Sequence, residues 1–217
     1  MPPASPTNFP IPLNKMLKIG LTGGMGCGKS TIAHIFSALD IPVYHADVEA
    51  KRLSETEPVR QKIARLFGRA AAEDRRLLAS IVFKDAEKLK QLNALLHPLV
   101  FQDMDTWFTK QESDIGKPPY AIVEAAILFE SGMAHTLDYI IDVEAPRQTQ
   151  ITRCSARDNS SRQEVLERID RQLSAKERMD KSDFVVQNGD GDRVLPVILE
   201  IDRFLRSQTE KPAIQGR

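Results

Sequence analysis

The chain has 217 residues, of which 41% are hydrophobic and 28% charged, proportions typical of a globular protein. Its 30 lysines and arginines balance its 30 aspartates and glutamates, so the overall charge indicates neither a nucleic acid nor a membrane surface as a partner. Any site for an anion must therefore be built locally. The cysteines, Cys27 and Cys154, lie far apart without metal-ligand spacing. We expect two reduced thiols and a cytoplasmic protein.

The two ends of the chain show no pattern of a folded element. Residues 1–15 carry five prolines and lack the basic start and apolar core of a secretory signal. We expect a flexible leader at 1–15 and a flexible tail at 208–217. The most apolar run, 120–129, has about ten residues and contains Glu124, which is too short and too polar for a membrane span.

Short apolar segments alternate with helical patterns in the rest of the chain. Residues 17–22 predict a strand, and from Lys29 apolar residues recur at the i, i+3, i+4 and i+7 spacing of an amphipathic helix. Strands that alternate with helices favour a parallel sheet of five strands with helices on both faces, an α/β fold. The other strands are predicted at 41–45, 118–124, 139–143 and 184–186, and a closing helix begins at Val194.

Two long helical regions interrupt this alternation. Residues 47–117 contain no convincing strand, and large apolar residues recur there at helical spacing, with Pro98 predicted to break the helix. Residues 147–182 are helical and rich in charge. The sheet and its helices would then comprise the three segments 16–46, 118–146 and 183–207.

A phosphate-binding loop is the strongest signal in the sequence. Residues 23–30 read Gly-Gly-Met-Gly-Cys-Gly-Lys-Ser and match GxxxxGK[ST] at each required position. Glycines let backbone N–H groups turn inward around phosphates, and the following helix directs its positive end at the same anions. We expect Lys29 to bridge the β- and γ-phosphates and the Ser30 hydroxyl to bind Mg²⁺. The predicted ATP-binding residues of the loop are Gly24, Met25, Gly26, Cys27, Gly28, Lys29, Ser30 and Thr31.

A glycine-rich turn with a chance lysine is the alternative, but a predicted strand precedes the motif and a predicted helix follows it, as nucleotide binding requires. Three classes of P-loop protein remain: a small-molecule kinase, a GTPase-like switch, and an ATP-driven motor or interaction module. A GTPase would be expected to carry an N-K-x-D segment, which the sequence lacks, and a motor would normally be larger. A kinase needs an acceptor site, a base and a basic lid, and the chain has a candidate for each.

Six segments of the chain carry a second pattern, and they lie at 21–31, 44–47, 92–98, 128–130, 153–158 and 184–189. In order and approximate spacing they resemble the successive blocks of dephospho-coenzyme A kinases. This resemblance implies ATP-dependent phosphorylation of the ribose 3′-hydroxyl of dephospho-coenzyme A, the last step of coenzyme A synthesis. It also implies a P-loop core, a helical acceptor-binding insertion at 47–117 and a lid at 147–182. Another metabolite kinase of this fold, such as a nucleoside monophosphate or sugar-acid kinase, and a non-enzymatic nucleotide-gated module remain as alternatives.

The resemblance also implies roles for particular residues. Asp47 would accept the proton of the attacking hydroxyl, although it could be merely the N-cap of the next helix. Arg153 and Arg157 lie four residues apart, so both could reach one phosphate chain, with Arg153 as the catalytic arginine. His97 would contact the acceptor or act as a structural hydrogen bonder. A loop at Asn188 and Gly189 would contact adenine.

The sequence departs from the family pattern at two places. His45 stands where the family often has an acidic residue two positions before the base, and Glu124 begins a Glu-Ala-Ala segment where Asp-x-Pro is frequent. Both changes leave the other contacts of Mg²⁺ open. Gln172, Lys176 and Arg178 could belong to the lid or its hinge, but a solvated charged face would explain them as well.

Overall fold

The computed structural model describes residues 15–113 and 116–210. The predicted leader, apart from Lys15, and residues 211–217 of the predicted tail lie outside this range. The chain divides into two units, one formed by the residues up to 44 together with those from 108 onward, and the other by residues 45–107. We call them the sheet unit and the helical unit.

The sheet unit contains the predicted five-stranded parallel sheet. Its strands are β1 (Leu17–Gly23), β2 (Val43–His45), β3 (Tyr120–Glu124), β4 (Tyr139–Glu144) and β5 (Phe184–Gln187), in the order β2-β3-β1-β4-β5. The central strand β1 pairs in parallel with β3 and β4, and β4 pairs in parallel with β5. The prediction of the fold class is confirmed.

Alternation of side chains along β1 explains the hydrophobic core of the sheet unit. Leu17, Ile19 and Leu21 point to one face, because successive residues of a strand face opposite sides. There they pack with apolar residues of α1 (Lys29–Ala38) and α10 (Val194–Glu210). The residues that these helices contribute are Ile32, Ala33, Phe36, Ile198, Ile201 and Leu205. α10 ends at Glu210, three residues beyond 207, the predicted end of the last segment of the sheet region.

The opposite face of the sheet is covered by other parts of the same unit. The Lys18 ammonium lies 4.7 Å from the centre of the Phe108 ring, and a Cβ at Gly20 would lie 2.8 Å from the Cδ1 atoms of Leu128 and Leu137. The region predicted as a lid forms α7 (Arg147–Asp158), α8 (Arg162–Ile169) and α9 (Ala175–Asp180). A capping box fixes the start of α8 at Ser161 and of α9 at Ser174.

The helical unit has a core of its own. It consists of α2 (Ala46–Ser54), α3 (Glu57–Phe67), α4 (Arg69–Glu73), α5 (Arg75–Val82) and the part of α6 (Ala86–Ser113) up to Trp107. The sequence pattern placed the end of this region at 117 because the helical periodicity continues beyond the unit. The buried residues that form this core are Val59, Ile63, Ala71, Leu78 and Val82.

The predicted helix break at Pro98 is wrong, because α6 continues through Pro98 without interruption. A proline inside a helix removes one backbone hydrogen bond and costs about 3 kcal/mol. Pro98 itself is exposed, whereas Leu95, Leu96 and Leu99 beside it pack on the core of the helical unit. Burial of these leucines offsets the lost bond. No helix among the described residues is both long and apolar enough to cross a membrane.

The contact of Tyr120 with Asp202 offers a test of the sheet unit. The Tyr120 hydroxyl donates to Asp202 Oδ1 at 2.6 Å, and Arg206 Nε donates to both oxygens of Asp202 at 2.9 and 3.0 Å. Burial and the Asp202 carboxylate raise the pKa of Tyr120, so the hydroxyl keeps its proton. Asp202→Ala leaves this buried hydroxyl without its acceptor and should cost about 1–3 kcal/mol of unfolding free energy.

Tyr120→Phe should cost less, about 1 kcal/mol, because Asp202 keeps Arg206 as its donor. Arg203→Ala, an exposed change one residue away on α10, serves as the control. Urea denaturation measures all three variants. A cost for Asp202→Ala no greater than that for Arg203→Ala would contradict the assignment.

Candidate active site

The phosphate loop begins at Gly23, the last residue of β1, and its six residues 23–28 lead directly into α1. Lys29, the first residue of α1, turns back over the loop, where its Nζ donates to Gly23 O at 3.0 Å and to Gly24 O at 3.4 Å. In the part of the chain that the structure describes, no side-chain hydrogen bond caps α1. The start of α1 and the Lys29 ammonium thus both lie at the loop, where an anion would be stabilised.

Two glycines of the loop are required by its shape. Gly26 and Gly28 have φ angles of +76° and +89°, which other residues rarely adopt. A Cβ at position 28 would lie 2.2 Å from Asn188 Nδ2, and one at position 26 would lie 2.6 Å from the Gln150 carbonyl oxygen. The loop therefore approaches its neighbours too closely for any side chain at these positions.

Ser30 lies beside a carboxylate. Its hydroxyl donates to Glu124 Oε1 at 3.2 Å, and Glu124 is the last residue of β3. Hydroxyl and carboxylate oxygens are the ligands that Mg²⁺ prefers, and Mg²⁺ usually keeps several waters in kinase sites. The described residues contain no cluster of three or more acidic, histidine or cysteine side chains that could hold a metal. The pair of Ser30 and Glu124 fits an ion held mainly by nucleotide phosphates and water.

Arg153 and Asn188 meet at the other end of the loop. Asn188 Nδ2 donates to Cys27 O at 2.7 Å, and the Asn188 carbonyl accepts from Arg153 Nη1 at 2.8 Å. Arg153 Nη2 also binds Asp190 at 3.0 Å, and the Gly189 amide donates to Asp192 at 2.6 Å. The structure therefore brings Arg153, predicted as the catalytic arginine, and Asn188, predicted to bind ATP, to the phosphate loop, and Gly189 follows Asn188 in the same turn.

Arg157 lies in a different environment from Arg153. Its Nε and Nη2 donate to the two oxygens of Asp158 at 2.7 and 3.0 Å, and 64% of its side chain is exposed. The two arginines share α7, but the contacts of Arg153 are with the turn at 188–190 and those of Arg157 are with its neighbour in sequence. Their predicted action on one phosphate chain stays a prediction.

Two predicted site residues belong to the helical unit. The alternative interpretation of Asp47 as the N-cap of α2 is wrong. His45 occupies the N-cap position, and Asp47 lies in the first turn of the helix. The three residues 43–45 form β2 and the helix follows at once, which moves its start by two residues. His97 lies on α6. Its Nε2 is buried without a hydrogen-bond partner among the described residues, and burial lowers its pKa.

Three side chains next to the phosphate loop are absent from the predicted site: Gln150, and also Gln172 and Arg178, for which the sequence predicts a place in the lid or its hinge or on a solvated charged face. Gln172 accepts a hydrogen bond from the Met25 amide at 2.8 Å, and Gln150 donates to Ala145 O at 2.7 Å. Arg178, on α9, is only 4% exposed and binds Asp142 and Glu144 of β4. The partners of Gln172 and Arg178 lie far away in sequence, and the charged residues around Arg178 resemble those of a solvated helix. The only available signal was the odd placement of Asp142 and Glu144 in an otherwise apolar strand.

The buried group of Arg178, Asp142 and Glu144 has unusual proton affinity. Burial and the neighbouring Glu144 raise the pKa of Asp142 to about 7. Asp142 is fully buried, and its Oδ2 has no hydrogen-bond partner among the described residues. One arginine thus balances two carboxylates, and a proton on Asp142 relieves the excess negative charge near neutral pH.

Cys27 is a neutral thiol at physiological pH. Its side chain is buried in the core beside α1, and burial together with Glu144 raises its pKa to about 11. Cys154 is also buried, and neither cysteine forms a disulfide. The side chain at this position of the loop therefore acts as a small apolar group, and only the backbone of Cys27 is available to phosphates.

Comparison with known proteins agrees with this geometry. A family model described as dephospho-CoA kinase matches residues 17–192, which include the phosphate loop, the helical unit and the turn at Asn188. The chain belongs to the dephospho-CoA kinase family. A dephospho-CoA kinase from Bacteroides fragilis (strain YCH46) is 35% identical over 196 residues, which cover 87% of this chain and 93% of that protein. The family's successive segments therefore extend through both units.

Solved structures support the fold. TT1252 from Thermus thermophilus is 30% identical, with a TM-score of 0.76 over 90% of this chain and 99% of that one. Dephospho-CoA kinase from Campylobacter jejuni is 23% identical, with a TM-score of 0.58 over 89% of this chain and 97% of that one. The second likeness concerns the fold alone. The family and the fold thus agree on a P-loop kinase.

The raised pKa of Asp142 predicts how the free energy of unfolding depends on pH. Between about pH 4 and 7 the folded protein holds a proton on Asp142 that the unfolded chain, with an ordinary pKa of 3.8, releases. The contribution of Asp142 is therefore largest at low pH and declines as the pH rises to 7, by at most about 1.4 kcal/mol per pH unit. Asp142→Asn, which keeps a neutral side chain, should remove this decline.

Thermal unfolding of both proteins across this pH range measures the difference in slope. Asp170→Asn, which removes an exposed carboxylate paired with Arg147, is the control and should follow the wild type. Parallel curves for the wild type and Asp142→Asn would contradict the raised pKa.

Proposed function

We infer that the chain transfers the γ-phosphoryl group of ATP to the ribose 3′-hydroxyl of dephospho-coenzyme A, the last step of coenzyme A biosynthesis. The match to the dephospho-CoA kinase family over residues 17–192 carries this conclusion, because it includes the helical unit as well as the phosphate loop. The loop alone would support only binding of ATP. The acceptor would contact the helical unit, which forms a core of its own.

The residues of the sheet unit stabilise the nucleotide phosphates. Lys29 and the amides of the loop offset charge on the β- and γ-phosphates, and this stabilisation grows as the bond to the leaving oxygen breaks. Ser30 would hold a Mg²⁺ ion, and Glu124 would orient one of its waters. When bound, Mg²⁺ would neutralise phosphate charge. The hydroxyl and carboxylate are 3.2 Å apart, which supports this assignment.

Arg153 and the turn after β5 would bind the rest of the nucleotide. Arg153 Nη1 would lie 3.7 Å from a Cβ at Gly28, so the guanidinium is close to the loop. Its partner Asp190 is 81% exposed, and such a pair is weak enough for Arg153 to exchange it for a phosphate oxygen. Asn188 and Gly189 would contact adenine, and Arg157 would reach ATP by leaving Asp158.

Asp47 would act as the general base. As the 3′-oxygen forms its bond to the γ-phosphorus, its proton passes to the Asp47 carboxylate, and the bond from phosphorus to the bridging oxygen breaks to release ADP. Its place in the first turn of α2, two residues after β2, follows the family block at 44–47.

His97 would hydrogen-bond the acceptor. The buried Nε2 has no partner among the described residues, and a buried polar atom without a partner is costly unless a ligand satisfies it. Burial lowers the pKa of His97, so the ring is neutral and Nε2 can donate or accept according to its tautomer. We place the reaction in the cytoplasm, in agreement with two free cysteines.

A panel of acceptors tests the substrate. With ATP and Mg²⁺, dephospho-coenzyme A should yield ADP and coenzyme A, whereas AMP, shikimate and gluconate should have kcat/KM values about a hundredfold lower or less. Smaller acceptors lack the remote contacts that position the hydroxyl. Coupled release of ADP measures turnover, and Lys29→Ala is the control for contaminating kinases.

Equal or greater kcat/KM with one of the smaller acceptors would refute dephospho-coenzyme A as the substrate and leave a kinase of another metabolite. Tight binding of ATP without turnover of any acceptor would indicate a nucleotide-gated binding protein instead.

Asp47→Asn tests the base. The amide keeps the size of the side chain but cannot accept the proton, so kcat should fall about 10²–10⁴-fold while the Kd of ATP stays near that of the wild type. Glu49→Gln is the matched control, because it removes another acidic residue from the first turn of α2. A normal kcat with a raised KM for the acceptor would show that Asp47 orients the substrate and that the base lies elsewhere.

A further inference from the structure

The connection between α8 and α9 holds the phosphate loop through one side chain, that of Gln172. Its Oε1 accepts from the Met25 amide at 2.8 Å, and its Nε2 donates to Ala126 O at 3.2 Å. Gln172 lies 147 residues from Met25 in the sequence. The oxygen and the nitrogen of the Gln172 side-chain amide therefore connect the phosphate loop to the segment that follows β3.

The bond from Met25 has a consequence for Lys29. The amide of Met25 and the carbonyl of Gly24 belong to the same planar peptide group. Gln172 accepts from the N–H of this group, and Lys29 Nζ donates to its carbonyl oxygen at 3.4 Å. A rotation of the peptide plane would break both contacts together. Gln172 thus fixes the direction of a carbonyl that holds the Lys29 ammonium.

Gln172 is itself held by its neighbours. The Leu173 amide donates to Glu130 Oε1 at 3.2 Å, and the Leu173 carbonyl accepts from Arg178. Arg178 is buried and also binds Glu144 of the central sheet. The next residue, Ser174, begins α9 with a capping box. The backbone beside Gln172 is therefore held by two contacts, one with Glu130 in the segment after β3 and one with Arg178, which binds Glu144 of β4.

The Met25 side chain adds an apolar contact between the phosphate loop and the helices α7 and α8. It packs on the small cluster of α7 and α8 formed by Ile151, Cys154 and Val165, with Leu166 and Ile169 at its margin. The position of Met25 is thus set by packing, and the orientation of its peptide by Gln172. Packing alone does not determine the direction of an N–H group, which needs a hydrogen-bond acceptor.

We propose that Gln172 is a positioning residue for phosphoryl transfer, which orients the Gly24–Met25 peptide and through it places the Lys29 ammonium over the nucleotide phosphates. Its effect on turnover rests on the proposed function, whereas its effect on binding of ATP requires only a P-loop that binds nucleotide. A further consequence is that the connection at 170–174 moves with the phosphate loop and is not a freely opening part of the predicted lid.

The test is a double-mutant cycle of Gln172→Met and Lys29→Ala on the Kd of ATP, measured by calorimetry. Methionine has nearly the length of glutamine but offers Met25 no strong acceptor, so Gln172→Met should weaken ATP binding about tenfold in the wild-type background. Since Gln172 acts through Lys29, the same change should weaken binding less than about threefold in Lys29→Ala. Gln163→Met is the matched control, because Gln163 lies exposed on α8 and binds only Glu167 among the contacts described.

Equal factors in the two backgrounds, or ATP binding by Gln172→Met as tight as that of the wild type, would overturn the proposal. A general loss of structure would add the same factor in both backgrounds, so the cycle separates positioning from stability. Kinetics with a working acceptor should show a lower kcat and an unchanged KM for that acceptor. Failure of every acceptor would contradict the proposed function but leave the binding cycle valid.

A second measurement uses the wild-type protein and does not depend on whether the variants fold. Hydrogen exchange followed by NMR should show slow exchange of the Met25 amide without nucleotide, because Gln172 protects it. Exchange of this amide at the rate of an unprotected N–H would show that the bond is absent and would also overturn the proposal.

Discussion

The buried contact of Arg178 with Asp142 and Glu144 is the interaction on which the phosphate loop depends. Removing one partner of a buried ion pair typically costs about 3–5 kcal/mol, because the other charge is left without compensation. The contact joins α9 to β4, and a Cβ at Gly24 would lie 3.1 Å from Arg178 Nη2, so the guanidinium lies directly against the loop. The loop therefore has a charged, hydrogen-bonded group beneath it instead of a deformable apolar layer.

Much of the fold follows from local patterns, and the exceptions have physical reasons. The apolar strands and the loop at 23–30 could be predicted because each is defined by residues close together in sequence. The break predicted at Pro98 was wrong because burial of the neighbouring leucines outweighs one lost backbone bond. Aspartate is a favoured N-cap residue, but the length of β2 decides where α2 begins, and Asp47 therefore lies in the first turn. Local propensity is a weak signal wherever packing opposes it.

Only part of the candidate site could be predicted from the sequence. Lys29 and Ser30 belong to a contiguous motif, and Arg153 and Asn188 were found through family segments that the structure brings to the same loop. Gln172 and Arg178 belong to no such motif, because their function depends on partners such as Met25 and Glu144 that only the fold brings near. A residue that orients another residue leaves no local pattern in a single sequence.

The balance of charge explains why orientation matters in this protein. The chain has equal numbers of basic and acidic residues, and the guanidinium nearest Gly24 is already neutralised by Asp142 and Glu144. Arg153 is likewise paired, with Asp190. Long-range positive potential therefore contributes little at the loop, and we expect most of the stabilisation of phosphate to come from Lys29 and the backbone N–H groups. Dipoles and single charges act strongly only when they point at the developing charge. The fold consequently stabilises the directions of peptide groups in the loop, since it cannot rely on an excess of arginines.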